Sequence, residues 1–254
     1  MIEHIKNVQI VCDPLLFTFM KKVFYIVLPL VLVGNLWSCK TQDTATASTK
    51  ITYAFQLDNE GWTGDFADFP NEPNAVKFYE MVVEHSTLPS PLDTKDGAIK
   101  QSGNNHSDDL FMFIKKQITG LEANKTYKVS LQVEFATNAS SGGIGVGGSS
   151  GESVYVKAGA STVEPIKVLN SSENMFQMNI DKGNQGTDGV NMKLIGNFSS
   201  GSSQSTYRLK TLSTSTPIEV KSNANGELWL IVGTDSGYEA VTTIYYNTIS
   251  VSIQ

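Results

Sequence analysis

The sequence predicts an all-β fold, an antiparallel β-sandwich, and three observations carry that expectation. Apolar and polar residues alternate with period two through Thr126–Thr137 and again through Thr242–Ile253. The remaining apolar runs are short, β-branched or aromatic, and bounded by Gly, Asn, Ser or Asp. No stretch carries an amphipathic helical pattern long enough to supply the crossovers a parallel sheet needs, so the strands pair antiparallel.

Taken in order, Ile51–Leu57 opens the body as a strand, and Val76–His85 reads equally as strand or helix. Leu110–Ile118 is apolar enough for a strand buried on both faces. In Thr126–Thr137, Tyr127, Val129, Leu131, Val133 and Phe135 share one face, opposite Lys128, Ser130, Gln132 and Glu134. Glu152–Lys157, Met175–Ile180, Tyr207–Leu212 and Glu227–Thr234 follow as further strands. The last strand alternates through Tyr245, Ile249, Val251 and Ile253, and Asn247 interrupts its apolar face. Ser199–Ser205 is short and low in complexity, which suits a hairpin loop. There is no internal repeat and no second-domain linker, so residues 51–254 are read as a single sandwich domain.

The N-terminus reads as an address. Met20-Lys21-Lys22 precedes the apolar run Val23–Val33, and a small residue, Ser38, stands before Cys39. A basic start, about 7–15 apolar residues and a small residue at the cut make a secretory signal, here residues 20–38. Leu36-Trp37-Ser38-Cys39 resembles the bacterial lipobox, from which Trp37 departs, and the resemblance implies cleavage before Cys39 and lipidation there. The alternative is an uncut signal anchor. Residues 1–19 lack signal character and read as a mis-called extension, which would remove Cys12 from the protein. Residues 39–50 then form a lipidated cysteine and a polar tether. Asp43-Thr44-Ala45 is similar to a short O-glycosylation signal of Bacteroidetes-type bacteria. The expected location is the cell envelope, on the outer membrane, held by acyl chains (palmitate among them) alone.

The whole chain carries a net charge of −6. Three lysines against two acids give residues 1–38 a charge of +1, so the rest carries −7. Without a basic cluster beyond Lys115-Lys116, this balance excludes nucleic acid as a partner. It suits cations or neutral ligands such as sugars.

Two runs of residues tie the body to known proteins. Gly120–Phe135 (GLEANKTYKVSLQVEF), with Val154–Lys157, and Ile244–Val251 (IYYNTISV) resemble the strand pattern of jelly-roll carbohydrate-binding modules. The match covers about a third of the domain, and fold alone does not set function. The resemblance implies a jelly roll, a structural calcium and a sugar-facing sheet or loop rim. The whole chain also resembles uncharacterised surface lipoproteins of Bacteroidetes, from which no activity carries over.

Candidate chemistry is sparse. Gly143–Gly148 matches GxGxxG and Gly147–Gly151 matches GxSxG, but neither is followed by the helix that a dinucleotide fold or nucleophile elbow requires. The Asn104–Asp109 run gathers His106 with Asp108 and Asp109, able to share a metal or act as an oriented base, or simply to cap a loop. For calcium, Asp181, Asn184 and Asp188 supply oxygen ligands in one loop, with Asp58, Asp65 and Asp68 as a second group. For a sugar, the expected contacts are Trp62, Trp229, Tyr238, Asp235 and His106, since a ring beside polar groups accepts both the C–H face and the hydroxyls. The resulting expectation is a non-catalytic carbohydrate-binding lipoprotein. Two alternatives stay open: a polysaccharide hydrolase or lyase using carboxylates such as Glu152, Asp235 and Glu239, and an adhesive surface subunit.

Overall fold

A computed structural model describes residues 48–254. The signal, Cys39, Cys12 and the Asp43-Thr44-Ala45 motif lie outside the described residues. Fifteen strands and one short helix follow in order: β1 (Thr49–Tyr53), β2 (Thr63–Ala67), β3 (Phe69–Pro70), α1 (Ala75–Phe78), β4 (Val82–Thr87), β5 (Gly97–Asn104), β6 (Leu110–Ile118) and β7 (Thr126–Thr137). Then come β8 (Val154–Ser161), β9 (Lys167–Asn170), β10 (Met175–Met178), β11 (Met192–Asn197), β12 (Arg208–Ser213), β13 (Ile218–Lys221), β14 (Leu228–Ser236) and β15 (Val241–Ile253). Among the described residues no helix is long and apolar enough to cross a membrane.

All pairings are antiparallel, as the alternation predicts. One sheet runs β12-β7-β15-β5-β4, with β1 and β13 added beside β15 and β7. The facing sheet runs β11-β8-β14-β6-β2. Within these, β5-β15-β7-β12 oppose β6-β14-β8-β11, the order of a jelly roll in which paired strands wrap from one sheet to the other. The core lies between the sheets. Val129, Leu131, Val133 and Phe135 of β7 meet Leu228, Leu230 and Val232 of β14, all buried.

The smaller sheet is buried on its second face too. Phe111, Phe113 and Ile231 point away from the main core and pack with Ala67, Ile180 and Met192. A three-stranded sheet, β3-β10-β9, and the loop following β10 provide the cover. This explains why β6 reads LFMFI without alternation: both faces of it are buried. The outer face of the larger sheet has no such layer over most of its area.

Three sequence expectations change. Val76–His85 is neither one helix nor one strand, because α1 ends at Phe78 and Glu80, with φ 50, turns the chain into β4. The polar tether ends earlier than residue 50, since Thr49 and Lys50 already pair with Ile253 and Ser252. Strand β5 went unread because its core positions include Gln101 and Gly103. Gln101 is buried by donating to the carbonyls of Asp65 and Phe113. A side chain at Gly103 would meet Leu110 and Met112.

Candidate functional site

The open face of the larger sheet collects its polar side chains by period two. Lys128, Ser130, Gln132 and Glu134 leave β7 on the side away from the core, and Lys100 and Ser102 leave β5 on the same side. From β15 come Thr243, Tyr245, Ser250 and Ser252, half-buried between neighbours. A register shift between Tyr246 and Thr248 marks a bulge in β15, and the extra residue is Asn247. Its Nδ2 donates to Glu134 Oε1 at 2.9 Å, so the residue that broke the apolar pattern is re-aimed to join Glu134. Asn247 Oδ1 is buried with no partner.

Two rings stand on this face. Tyr207 and Tyr245 pack edge to face with centroids 5.6 Å apart, beside Leu88, Leu92 and Ala98. Burial, reinforced by the neighbouring Tyr245 hydroxyl, holds the Tyr207 phenol above its ordinary range. Thr211 Oγ1 donates to Glu134 Oε2 at 3.3 Å, Lys100 pairs with Glu84 at 2.8 Å, and Ser102 shares a 2.8 Å hydrogen bond with Thr243. Rings framed by hydroxyl, amide, carboxylate and ammonium groups are able to take the C–H surface of a sugar and its hydroxyls together.

The residues singled out from sequence do not assemble there. Trp62 is 1% exposed and packs edge-on against Tyr53 and Phe55, so it anchors the core and offers no face to a ligand. Asp235 is fully buried and paired with lysines, which removes it from the surface. Trp229 is half-buried on the covered sheet, with Lys115 Nζ 5.6 Å from its ring centre. It sits six residues from Asp235 along β14, about 20 Å away in an extended strand. Tyr238 lies half-buried beside Gly145 at the end of that strand. His106 is exposed and stacked on Phe78 at 4.3 Å. Near it, Asn105 donates to the carbonyls of Ser236 and Tyr238, which ties the loop before β6 to the loop after β14.

Of the proposed hydrolase carboxylates, Asp235 is buried as described, Glu239 is exposed, and Glu152 is engaged within its own loop. Glu152 accepts from the Ser149 hydroxyl at 2.5 Å and from Gly142 N–H, and the Ser149 hydrogen bond holds its carboxyl below the usual range. The GxSxG serine is therefore bound to a carboxylate in a loop, without a histidine.

The calcium candidates fare differently. Asp181 accepts from the N–H groups of Gly183 and Val190, and Asp188 from that of Leu194, so both carboxylates brace their own loop. Asn184 N–H donates to Thr187 Oγ1. Asp58 accepts from Glu60 N–H, and Asp65 pairs with Lys167 at 2.6 Å. The acids that do converge are Asp68, Asp109 and Asp235, each placing one oxygen within 4.8 Å of the others, a group able to hold a metal ion. Calcium asks for six to eight oxygens. Here Lys182 Nζ lies 2.9 Å from Asp68 Oδ2 and 2.8 Å from Asp235 Oδ2, and a cation entering would have to displace that ammonium.

This buried cluster is the other chemically distinctive place in the molecule. Lys157 Nζ lies 3.0 Å from Asp235 Oδ2, both side chains fully enclosed. Asp68 and Asp108 take left-handed backbone, φ 60 and 63, and Gln185 Nε2 closes the loop onto the Asp108 carbonyl at 3.1 Å. Burial, then the charges of Asp235 and Asp68, push the Asp109 carboxyl up to about 7 against the opposing pull of Lys182. Burial also raises Asp68 and lowers Lys157. Lys182 is raised, because the charges of Asp235 and Asp68 outweigh its own burial.

The chain matches no protein-family model and no curated protein. Solved structures similar to it include carbohydrate-binding modules of the β-sandwich superfamily, at 9% identity and TM-score 0.36 over 74% of this chain and 55% of that one. The K3 adhesin domain of Lys-gingipain from Porphyromonas gingivalis is similar at 10% identity and TM-score 0.38, over 81% and 99%. A sugar-binding protein described from Bacteroides thetaiotaomicron is similar at 8% identity and TM-score 0.37, over 75% and 88%. The chain spans a fifth of a bacteriophage CBA120 tailspike enzymatic domain and a quarter of an arabinofuranosidase that it also resembles. The fold assignment rests on the strand order above, not on these likenesses.

Sequence reasoning missed Tyr207, Glu134 and Lys157 as site residues. Tyr245 and Asn247 were visible only as members of a strand. The available signal was the polar half of the β7 and β15 alternation, which marks an uncovered face once the strands are known to be neighbours.

Proposed function

We propose that this chain is a non-catalytic carbohydrate-binding β-sandwich, exported and held on the cell envelope by acyl chains on Cys39. The single observation that carries the binding reading is the uncovered sheet face, where Tyr207 and Tyr245 stand beside Glu134, Asn247 and Lys100. The smaller sheet is closed by its covering layer, so the open face is the one with room for an extended polymer. Sugar rings lie across Tyr245, with hydroxyls donating to Glu134, which Asn247 Nδ2 holds in place from beneath. The export reading stands on the Met20–Cys39 pattern.

A glycan array spanning plant, host and microbial polysaccharides tests the proposal. Binding to one glycan class, weakened about tenfold or more by Tyr245→Ala, is the expected result; a tenfold loss corresponds to about 1.4 kcal/mol. Blank binding by the folded protein across the array overturns it. Retention of protein by envelope extracts without glycan binding would favour the adhesive alternative.

A further inference from the structure

We propose that Lys157 and Asp235 condense into an intramolecular isopeptide bond that staples β8 to β14, with Asp109 carrying the proton. The inference is independent of the carbohydrate reading.

Register brings the pair together. Asp235 stands opposite Tyr155, and Lys157 stands opposite Gly233, so the two are diagonal neighbours on one face of adjacent strands. Gly233 matters here: a Cβ on it would strike Phe111 and the Met112 carbonyl, and its absence leaves room beside the Lys157 side chain. Lys157 Nζ ends 3.0 Å from Asp235 Oδ2, and neither side chain touches solvent.

The two oxygens of Asp235 are treated unequally. Oδ2 receives Lys157 Nζ, Lys182 Nζ at 2.8 Å and the Gln185 N–H at 2.9 Å. Oδ1 is buried with no partner, and so is Oδ1 of Asp109 close by. A proton shared between Asp109 and Asp235 satisfies both orphaned oxygens. Lys157 Nζ has two acceptors, Asp235 Oδ2 and the Lys182 carbonyl, which matches the two N–H bonds of a neutral amine. Lys182 donates to Asp235 Oδ2 and the Gly183 carbonyl and lies 2.9 Å from Asp68 Oδ2, two carboxylates around one ammonium. The lowered Lys157 and raised Asp109 described above fit the same assignment.

The chemistry balances without a co-reactant. Proton transfer within the pair gives a neutral Lys157 amine and a protonated Asp235 carboxyl. Nζ forms a bond to Asp235 Cγ, and the negative charge that develops on Oδ2 is met by Lys182 and the Gln185 N–H. Asp109 accepts a proton from the nitrogen and delivers it to Oδ1. The Cγ–Oδ1 bond breaks, one water leaves, and Asp109 ends as it began. Nothing is oxidised or reduced. A surface opening lined by Asp68, Asp109, Lys182 and Asn184 lies beside the cluster for the water to leave.

Peptide mapping of the purified protein after trypsin tests the proposal. The expected product is a branched species, one water lighter than its parts, in which residues 129–167, uncut at Lys157, are joined to residues 222–254. Lys157→Arg, which keeps the charge but not the amine, yields none of it. Asp109→Asn, with circular dichroism unchanged, forms it about a hundredfold more slowly after refolding. Linear peptides ending at Lys157 together with free 222–254 from the wild-type protein would overturn the proposal. A branch at Lys182 would do the same, and formation in Asp109→Asn at the wild-type rate would remove Asp109 from it.

Discussion

At the residue scale, the distinction between a large side chain that holds the fold and one that meets a ligand is decided by burial. Trp62 fills the space between Tyr53 and Phe55, so Trp62→Ala should cost about 3–5 kcal/mol by chemical denaturation while the folded fraction keeps its ligand affinity. Lys182 balances two buried carboxylates. Lys182→Met leaves Asp68 without a counter-charge while Asp235 keeps Lys157, and a loss of about 3–5 kcal/mol in the same assay is expected. Asp109 gives stability a pH dependence of known sign. Its folded carboxyl is pushed up to about 7, above the unfolded value, so the fold retains a proton that the unfolded chain releases. That contribution is complete at low pH and lost as pH rises through about 7; Asp109→Asn should flatten urea midpoints between pH 5 and pH 8. The groups facing Asp109 are Lys182, Asp235 and Asp68, and their own titration lies outside the Asn variant's difference only if they remain in place, which an unchanged near-ultraviolet spectrum checks.

At the element scale, strands with one buried face were legible and the others less so. β7 and β15 announce themselves by alternation, because one side meets the core and the other meets water. β6 and β14 read as apolar runs whose second face had no visible partner, since the layer covering Phe111, Phe113 and Ile231 comes from distant residues. Lys157 in β8 looked like an ordinary polar position and Asp235 in β14 like a ligand contact; only the register between strands reveals that they meet. The open-face site was hidden for the same reason, as Tyr207 and Tyr245 lie far apart in sequence. The contact between β8 and the covering layer is close at Gly159, where a Cβ would stand 2.1 Å from the Asn191 carbonyl. Gly159→Ala should therefore loosen that layer, costing about 1–3 kcal/mol and speeding amide exchange around residues 189–192.

At the scale of the whole molecule, the jelly roll divides labour between its two sheets. The smaller sheet is sealed on both faces and carries the charged cluster. The larger one presents the rings and polar rows to solvent. A body of roughly two hundred residues has core enough to hold this arrangement without a disulfide. The measurement that bears most directly on the ligand-binding account is affinity electrophoresis through polysaccharide-containing gels, comparing wild type, Tyr245→Ala and Trp229→Ala. The account predicts that at least one polysaccharide retards the wild type and the Trp229 variant, and that Tyr245→Ala runs unretarded. Retardation lost in Trp229→Ala but kept in Tyr245→Ala would place the ligand on the wrong sheet and contradict it.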